Sequence, residues 1–586
     1  MNSDGDAAAD DAEEHGCDTG ADVDGGTAEY TLRAAILVGP TDGWEAIEVP
    51  GCWTMQGHDR PQYTNIQMPF PGRPPTVPDA NPTGVHRRTV TLPASWAGRR
   101  LVVHVAGAET VLYVHVDGRP IAMGKDSRLP HEVDLTGVVE PGVPFELALT
   151  VVRWSDATYL EDQDHWHHAG LHRSVFAYAT PTTHVADVHA TADYDPTTGA
   201  GRLRTVVWLG ADGHGPKGWT ARVDLAVDDG RTLTATAPAR FEHPTDALTN
   251  WLVFDGRRAV VEIDVADVAP WSAEVPTRHH LVVTLLDGSG TEVDVVSPDV
   301  GFRRVEVVGH EFLVNGRAML VKGVNRHDHD PRRGKAVTRE GIEADLVLMK
   351  QHGINAVRTS NYPNDVHLYD ACDRLGLYVV DEADLEAHAY LRSLTKDPRW
   401  GAAILGRVTR MALRDKNHPS IIVWSLGNES GSAPVLEAAP DWLRAWDPSR
   451  PVQYESSIGE AIFTALSSGR EVAMGELLGR PTPESDLIVP MYPRWPTWRR
   501  GPPGPRPSGN RTGVRWLRFL DVDGTAVCTI DRLDGLDVTV SRWTDGEVAD
   551  AGHREDLPVR DDCWVWIDAR HRGVGPGPYR WSYRVR

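Results

Sequence analysis

The chain has 586 residues, and its 83 Asp and Glu outweigh its 60 Lys and Arg to give a net charge of −23. At roughly 100 to 200 residues per domain, this length predicts several domains and excludes a single small binding module. The acidic balance argues against a nucleic-acid partner, because phosphate binding needs a clustered basic face. We therefore expect a multidomain protein with a neutral substrate.

The sequence also carries signals about location. The first 29 residues contain ten acids and no Lys or Arg, the opposite of a signal peptide. No stretch approaches the roughly 18 apolar residues that a membrane span needs. Five cysteines in so long a chain form no disulfide framework. We expect a cytoplasmic protein without a membrane partner, in which residues 1–40 form an acidic disordered tail.

Two β-rich regions follow the tail. Residues 41–179 consist of short β-branched runs split by turn signals, which predicts an all-β sandwich. Residues 180–302 repeat this style with fewer aromatic residues and a second set of alternating strands. We interpret them as a second, smaller β-sandwich.

After residue 302, apolar strand runs alternate with amphipathic helical stretches such as 339–352, the pattern of parallel β/α units. Six strands are predicted where a closed (β/α)₈ barrel needs eight. They are Ala318–Val324, Ile354–Arg358, Leu377–Asp381, Ile421–Leu426, Val452–Glu455 and Leu487–Met491. Residues 303–498 therefore predict an incomplete TIM barrel, and residues 499–586 return, after a Pro- and Gly-rich linker, to strand-like sequence.

The strongest chemical signal lies where the fourth of these strands ends in Gly427-Asn428-Glu429. This places a carboxylate at the carboxyl-terminal mouth of the barrel, where such folds carry out catalysis. A Glu with a raised pKa can act there as general acid and base. For an isolated Asn-Glu pair, a solvated strand end is the plainer interpretation, but the neighbouring motifs favour catalysis.

Glu386 and His388 follow another strand and project the same way if the chain stays extended. Together with Glu429 they predict an oxygen-rich site for a hard cation, with Mg²⁺ favoured over zinc because only one imidazole and no thiolate is present. Ordinary loop hydrogen bonding explains the pair equally well on its own. His327 and His329 end the first strand, and hydrogen bonding of His327 to a sugar hydroxyl fits better than metal binding.

Further motifs occur in a fixed order along residues 41–498. They are Val49-Pro-Gly-Cys-Trp53, Tyr63-Thr-Asn65, Asn81-Pro-Thr-Gly84, Tyr159-Leu-Glu-Asp-Gln-Asp-His-Trp166, Gly323-Val-Asn-Arg-His-Asp-His329, Val357-Arg-Thr-Ser-Asn-Tyr-Pro-Asn364, Leu377-Tyr-Val-Val-Asp-Glu-Ala383 and Asn417 to Ser430. The series closely resembles the large bacterial β-galactosidases of glycoside hydrolase family 2. Asn65 and the loop at 160–166 resemble that branch rather than the β-glucuronidases or β-mannosidases.

This resemblance implies an architecture and an activity. The expected layout is a jelly-roll sugar-binding domain at 41–179, an immunoglobulin-like β-sandwich at 180–302, a partial TIM-barrel catalytic domain at 303–498 and a remnant of a C-terminal β-sandwich domain at 499–586. The implied activity is retaining hydrolysis of terminal β-D-galactose from β-galactosides such as lactose. Members of the family are homo-oligomers, although the acidic tail replaces the segment that opens the family's chains.

The resemblance also implies roles for particular residues. Glu429 resembles the acid/base, and Glu386, His388 and Glu429 resemble the magnesium ligands. Five residues resemble galactose-contacting or pocket residues, and Asp162 would also hold sodium: Asn65, Asp162, His327, Asn428 and Tyr492. Asn361 stands where the family pattern has His, which weakens one expected sugar contact. Trp166 is a weaker candidate for stacking on sugar, since burial is the commoner fate of Trp.

A retaining glycosidase also needs a nucleophilic carboxylate. The family's motif for it is not found after Tyr492, and residues 471–476, which echo its spelling, precede the predicted sixth strand. The simplest account is an internal deletion near residue 498. Two hypotheses remain open, a retaining β-galactosidase and a carbohydrate-binding pseudoenzyme without turnover.

Overall fold

The structure is a computed structural model of the chain. Side chains are described for residues 43–64, 67–211, 218–228, 230–240, 257–309, 311–390, 393–456, 485–487 and 489, and four strands are described as backbone between 511 and 585. The predicted tail, Asn65, Tyr492 and the stretch at 471–476 lie outside the described residues. The chain divides into two compact units, Met1–Met491 and Tyr492–Arg586.

The first unit opens with a β-sandwich. Its strands alternate between core and surface, as the period of two in the sequence predicts, and Val103, Leu112, Val114 and Leu149 lie in a shared core. The sheets run in the order β3-β8-β5-β6 and β11-β4-β7, with short pairs β1-β10 and β2-β9. The strands are β1 Gly51–Cys52, β2 Gln62–Thr64, β3 Thr83–Val90, β4 Arg100–Val105, β5 Val111–Val116, β6 Arg119–Lys125, β7 His131–Asp134, β8 Phe145–Val152, β9 His165–His167, β10 Gly170–Leu171 and β11 Val175–Thr180.

A second sandwich follows with its own core, which includes Leu203, Val223 and Leu281. Its antiparallel sheets have the orders β12-β13-β16 and β15-β14-β17-β18, and β19 pairs with β17. The strands are β12 His184–Tyr194, β13 Gly201–Gly210, β14 Thr220–Ala226, β15 Thr232–Pro238, β16 Arg258–Val265, β17 His279–Leu286, β18 Glu292–Val296 and β19 Asp299–Val300.

The third part contains a parallel sheet with the order β23-β24-β25-β26-β27. Its strands are β23 Gly323–Arg326, β24 Ala356–Thr359, β25 Tyr378–Glu382, β26 Ile421–Ser425 and β27 Val452–Gln453. Before it stands an antiparallel sheet of β20 Val305–Val308, β21 Glu311–Val314 and β22 Arg317–Ala318. The predicted first strand therefore began too early, because residue 318 pairs antiparallel with Leu313 and the parallel strand starts only at Gly323.

Helices connect most of these parallel strands, as a β/α arrangement requires. They are α1 Arg339–Gln351, α2 Val366–Leu375, α3 Arg392–Thr395, α4 Gly401–Asp415 and α5 Pro434–Trp446. In α1, Ile342 and Leu346 are buried at helical spacing, and Thr338 caps the helix through a 3.1 Å bond from the N–H of Gly341. None of the helices in the described part of the chain has the length and apolarity that a membrane crossing requires.

The core of the parallel sheet reaches into the first sandwich. Phe70, Leu129, Trp154, Tyr159 and Leu160 belong to the same buried cluster as the strand and helix residues of the barrel. The loop that follows β8 is therefore anchored against the barrel, which sets the position of its acidic residues.

The second unit contains one antiparallel sheet, in the order β28-β29-β30-β31. Its strands are β28 Arg511–Leu520, β29 Ala526–Ser541, β30 Cys563–Asp568 and β31 Arg580–Val585. They agree with the strand-like sequence predicted for the end of the chain. The predicted sixth barrel strand falls largely outside the described residues; within it, Leu487 and Val489 are described.

Candidate active site

The site begins where β26 ends. All five residues of this strand are buried, as expected for a parallel strand covered on both faces. The chain then turns through Gly427, whose φ is 142°. A Cβ at this position would lie 2.7 Å from the carbonyl oxygen of Leu385, so glycine permits the close approach in which the N–H of Asn428 donates to that oxygen at 2.9 Å.

The loop of the first sandwich joins the same backbone. Glu386 donates its N–H to the carbonyl of Leu160 at 2.8 Å, and Asp162 donates its N–H to the carbonyl of Glu386 at 3.0 Å. The segments around residues 161, 386 and 428 are therefore linked side by side. They come from two different domains of the predicted layout.

Glu386, His388 and Glu429 converge at this point. His388 Nε2 lies 3.3 Å from Glu429 Oε2, and His388 Nδ1 lies 3.5 Å from Glu386 Oε1. One ligand atom from each residue falls within 4.8 Å of the others. The side chain of Glu386 is buried, whereas those of His388 and Glu429 keep 22 % and 21 % of their surface exposed. The group is thus open to solvent on one side only.

The free atoms of this group suit a cation. Glu386 Oε1 and His388 Nδ1 are buried and have no hydrogen-bond partner. Burial raises the pKa of Glu386, and the Glu386 carboxylate raises the pKa of His388. Buried polar atoms are rarely left unpaired in native structures, so an ion coordinated by these atoms would complete the site.

Other polar residues orient the group. Asn361 donates its side-chain amide to Glu386 Oε2. Arg358 makes two bonds to Glu382, at 2.7 and 2.8 Å, and donates to Asn428 Oδ1 at 2.9 Å. Sequence reasoning missed the positioning roles of Arg358 and Asn361, although both stand in the Val357–Asn364 motif.

Glu429 adopts an unusual backbone conformation, with φ at 31°. Its N–H donates to the carboxyl of Glu455, which follows β27 on the next strand. Ser456 donates its hydroxyl to the same carboxyl oxygen at 2.9 Å. Burial raises the pKa of Glu455 to about 8. Glu455 was also missed from sequence, although its place at the end of a predicted strand was the available signal.

Of the remaining predicted site residues, the structure describes Asp162 and His327, whereas Asn65 and Tyr492 lie outside the described residues. Asp162 is buried and accepts the N–H of Ala389 at 2.7 Å, its Oδ1 has no partner, and burial raises its pKa to about 7. His327 packs its ring 4.6 Å from that of His165, and burial lowers its pKa to about 4, so the imidazole is neutral at pH 7. A neutral ring can both donate and accept a hydrogen bond.

The geometry as a whole supports proton transfer beside a cation. A half-buried carboxylate, a histidine and a buried carboxylate meet at the carboxyl ends of parallel strands, where such sheets place their chemistry. His388 and Glu429 both keep solvent access, and Glu429 is the carboxylate of the two. Glu429 is therefore the carboxylate of this cluster that a substrate can reach.

Four family models match successive parts of the chain. The model described as "Glycosyl hydrolases family 2, sugar binding domain" covers residues 36–181, "Glycosyl hydrolases family 2" covers 183–303, and "Glycosyl hydrolases family 2, TIM barrel domain" covers 305–488. A fourth model, "Beta galactosidase small chain", covers 503–585. The first three ranges follow the sandwich, sandwich and parallel-sheet order of the structure.

Curated relatives point the same way. A protein named beta-galactosidase from Aeromonas hydrophila subsp. hydrophila is 42% identical over 460 residues, which is 77% of this chain and 42% of that protein. A beta-galactosidase from Psychromonas ingrahamii is 38% identical over 453 residues, 77% of this chain and 41% of that protein. The chain thus spans less than half the length of these relatives.

Solved structures show the same fold at low sequence identity. A beta-glycosidase from Bacteroides vulgatus superposes with a TM-score of 0.58 at 22% identity, over 72% of this chain and 51% of that one. A beta-glucuronidase from Bifidobacterium dentium, complexed with coumarin-3-O-glucuronide, superposes with a TM-score of 0.58 at 22% identity, over 72% of this chain and 70% of that one. At this identity the likeness concerns the fold alone.

Proposed function

Because the chain belongs to glycosyl hydrolase family 2, we propose that it is a β-galactosidase-type glycosidase acting on terminal, non-reducing β-D-galactose of β-galactosides such as lactose. The observation that carries this proposal is the convergence of Glu429 with Glu386 and His388. The curated relatives named beta-galactosidase support the choice of sugar.

Glu429 serves as the acid/base. Its partly exposed carboxyl protonates the oxygen of the leaving group and later takes a proton from the attacking water. Its backbone N–H is held by Glu455. Asn428, oriented by Arg358, and the neutral His327 are suited to bind sugar hydroxyls, as are Asn65 and Tyr492 from the resemblance alone.

Mg²⁺ fits the group formed by Glu386, His388 and Glu429. Two carboxylates and one imidazole, with two buried unpartnered atoms, form the oxygen-rich donor set that a hard cation prefers. Bound there, the ion would supply fixed positive charge beside the acid/base carboxylate. The unpartnered Oδ1 of Asp162 is the oxygen that would serve a sodium ion.

A retaining double displacement needs a second carboxylate as nucleophile, about 5 to 5.5 Å from the first. Among the described residues, Glu455 is the carboxyl that follows the next strand. Burial raises its pKa to about 8, which disfavours the nucleophilic anion, and its carboxyl is engaged by the Glu429 N–H and the Ser456 hydroxyl. The nucleophile is therefore not assigned to a described residue.

The free thiols of Cys52 and Cys372 are both buried, which fits a reducing compartment and supports our proposal that the protein works in the cytoplasm. We also propose homo-oligomers, on the resemblance to the family alone.

The test is hydrolysis of 2-nitrophenyl β-D-galactoside by the purified, monodisperse chain with Mg²⁺, beside the matching glucuronide. We expect the galactoside to be the better substrate, and Glu429→Gln to lower the rate on the order of 10²- to 10⁴-fold, the usual contribution of general acid–base catalysis. Glu437→Gln, the same chemical change on the exposed surface of α5, is the matched control and should retain full activity.

The outcome separates two functions. A folded wild-type chain that hydrolyses neither substrate would contradict turnover. Sugar binding by that same sample would then identify the carbohydrate-binding pseudoenzyme, the alternative in which the pocket persists without a nucleophile.

A further inference from the structure

A cavity of about 250 Å³ lies between the second sandwich and the parallel sheet. Its walls come from β12, from the segment at 300–306 and from the segments just before β26 and β27. Because the last two segments lead into the amino ends of parallel strands, the cavity lies at the end of the sheet opposite to the candidate active site. It is therefore separate from the acid/base residue and from the proposed magnesium ligands.

The charged side chains of this cavity do not balance. Three of them are arginines, Arg303, Arg304 and Arg450, and two are acids, Asp193 and Glu306. Arg304 donates to both carboxyl oxygens of Asp193, at 3.0 and 2.5 Å. Glu306 is half-buried, and its charge acts on the same Arg304. The lining therefore carries one positive charge in excess.

Arg450 is already occupied by protein partners. Its Nη1 donates to Asp447 at 2.5 Å, and its Nε and Nη2 donate at 2.8 to 2.9 Å to the backbone carbonyls of Ile421, Lys416 and His418. Its side chain is only 5% exposed. Arg450 thus adds charge to the cavity, but its donors are used within the protein.

Arg303 differs from the other two arginines. It is buried, its Nε donates to the carbonyl of Pro419 at 2.5 Å, and its Nη2 donates to the carbonyl of Ile421 at 2.7 Å. Within the part of the chain that the structure describes, no carboxylate forms an ion pair with Arg303, and its Nη1 makes no hydrogen bond. Burial and the nearby charge of Arg450 lower the pKa of Arg303 to about 9. Since buried charges in proteins are normally paired, this guanidinium calls for an anion.

We propose that this cavity binds one inorganic phosphate ion, held by the guanidinium of Arg303. Nη1 carries the N–H donors that remain for a ligand, and a guanidinium matches the spacing of phosphate oxygens. The single excess positive charge of the lining suits a small anion. The cavity is also smaller than the roughly 300 to 1,000 Å³ of pockets that hold larger organic ligands, which favours an ion over a nucleotide or a sugar.

The bound ion would contact residues of the second sandwich and of the loops that lead into the parallel sheet. It would therefore stabilise the junction between these two parts of the chain, since a ligand that binds only the folded state adds to its stability. This inference goes beyond the proposed function and does not depend on hydrolysis.

The test is a calorimetric titration of the full chain with inorganic phosphate. The buffer contains chloride and no Mg²⁺, so that phosphate cannot bind through a metal ion. Wild type should bind one phosphate per chain, and Arg303→Met should weaken this binding by at least about tenfold, as expected from the loss of a charge-assisted hydrogen bond. Arg202→Met, the same chemical change at an exposed position of β13, is the matched control and should bind phosphate like wild type.

Hydrogen exchange of the wild-type chain gives a second measurement, which remains decisive if Arg303→Met fails to fold. At a phosphate concentration ten times the measured Kd, amide exchange at 190–193 and 300–306 should slow by about tenfold relative to chloride at equal ionic strength. Three results would overturn the proposal. They are no phosphate binding by wild type, equal binding by wild type and a folded Arg303→Met, and unchanged exchange at both segments.

Discussion

Two clusters of ionisable residues share one short segment of the chain, residues 384–388, which contributes members to both. The outer cluster contains Glu386, His388 and Glu429, and the inner cluster contains Asp126, Glu161 and Asp384. In each, one ligand atom per residue lies within 4.8 Å of the others. Judged by composition alone, the inner cluster, with three carboxylates, is the better cation site.

Their partners distinguish the two clusters. In the inner cluster, Arg407 donates to Glu161 and Arg410 donates to Asp126 at 3.2 Å. The hydroxyl of Ser127 also donates to Glu161. The guanidinium groups therefore supply positive charge to Glu161 and Asp126, and the cluster joins the first sandwich to helix α4. Asp384 accepts a bond from the side-chain amide of Gln163 at 2.9 Å.

The outer cluster differs in its exposure. Both clusters hold buried atoms without a hydrogen-bond partner, Asp384 Oδ2 in the inner cluster and Glu386 Oε1 and His388 Nδ1 in the outer one. The inner cluster is fully buried, whereas His388 and Glu429 of the outer cluster remain partly accessible. The comparison teaches that the number of acids does not distinguish a structural cluster from a functional one. Contact with arginine in the inner cluster, and partial exposure in the outer cluster, do so.

The largest effect is expected from Arg407→Met, which removes the buried cation of the inner cluster. Glu161 would be left without its guanidinium partner, and breaking a buried pair in this way costs about 3 to 5 kcal/mol of unfolding free energy. Urea denaturation measures this loss of unfolding free energy. Arg202→Met, in an ion pair whose side chains are 60% and 46% exposed, is the control and should change stability little. Equal stability of the two variants would show that the inner cluster does not depend on arginine.

Glu386→Gln tests the outer cluster. Replacing a buried candidate ligand should lower Mg²⁺ affinity by at least about tenfold, since even residues that only support a metal ligand contribute that much. Calorimetric titration of the metal-stripped chain measures this affinity. Asp384→Asn, the matching change in the inner cluster, should leave it unaltered. An equal loss in both variants would mean that the two clusters cannot be separated by function.

Glu455→Ala tests whether the hydrogen bond from the Glu429 N–H to Glu455 contributes to catalysis. Removing the acceptor of the Glu429 N–H should lower kcat on the order of tenfold, the value of one hydrogen bond, with KM unchanged. Glu455→Gln keeps the acceptor oxygen and matches the neutral carboxyl, so it should retain most of the activity. Similar losses in both variants would contradict a role through this bond.

The smallest effect is expected from Asp126→Asn, and it depends on pH. Although burial opposes ionisation, Arg407 and Arg410 lower the pKa of Asp126 below its ordinary value of 3.8. A lowered pKa contributes stability that is present above the ordinary value and lost as pH falls through the folded value. The variant should therefore be less stable than wild type by about 1 kcal/mol at pH 7.

Denaturation curves recorded from pH 7 downward give the check on this prediction. The difference between Asp126→Asn and wild type should shrink below pH 3.8. A difference that stays constant with pH would show that the charge of Asp126 contributes nothing.

Much of the fold follows from local pattern. The alternating runs of both sandwiches and the spacing of Ile342 and Leu346 in α1 reflect periods of 2 and 3.6 residues, which any sequence displays directly. Strand ends were also predictable, and with them the place of Glu429. The start of β23 was not, because Ala318 pairs in another sheet and the apolar residues Leu320 and Val321 are exposed outside any strand.

The candidate site likewise has features that the sequence predicted and features that it could not predict. The spacing of Glu386 and His388, and the place of Glu429 after a buried strand, are properties of short segments, and the sequence by itself determined them. It could not assign Glu455 to the N–H of Glu429 or Arg407 to Glu161, which is 246 residues away. Nor could it show that Asp384 joins a fully buried cluster while Glu386, two residues on, joins a cluster that is partly exposed. These pairings depend on how distant segments pack, and only the tertiary structure decided which carboxylates are neutralised and which stay free for chemistry.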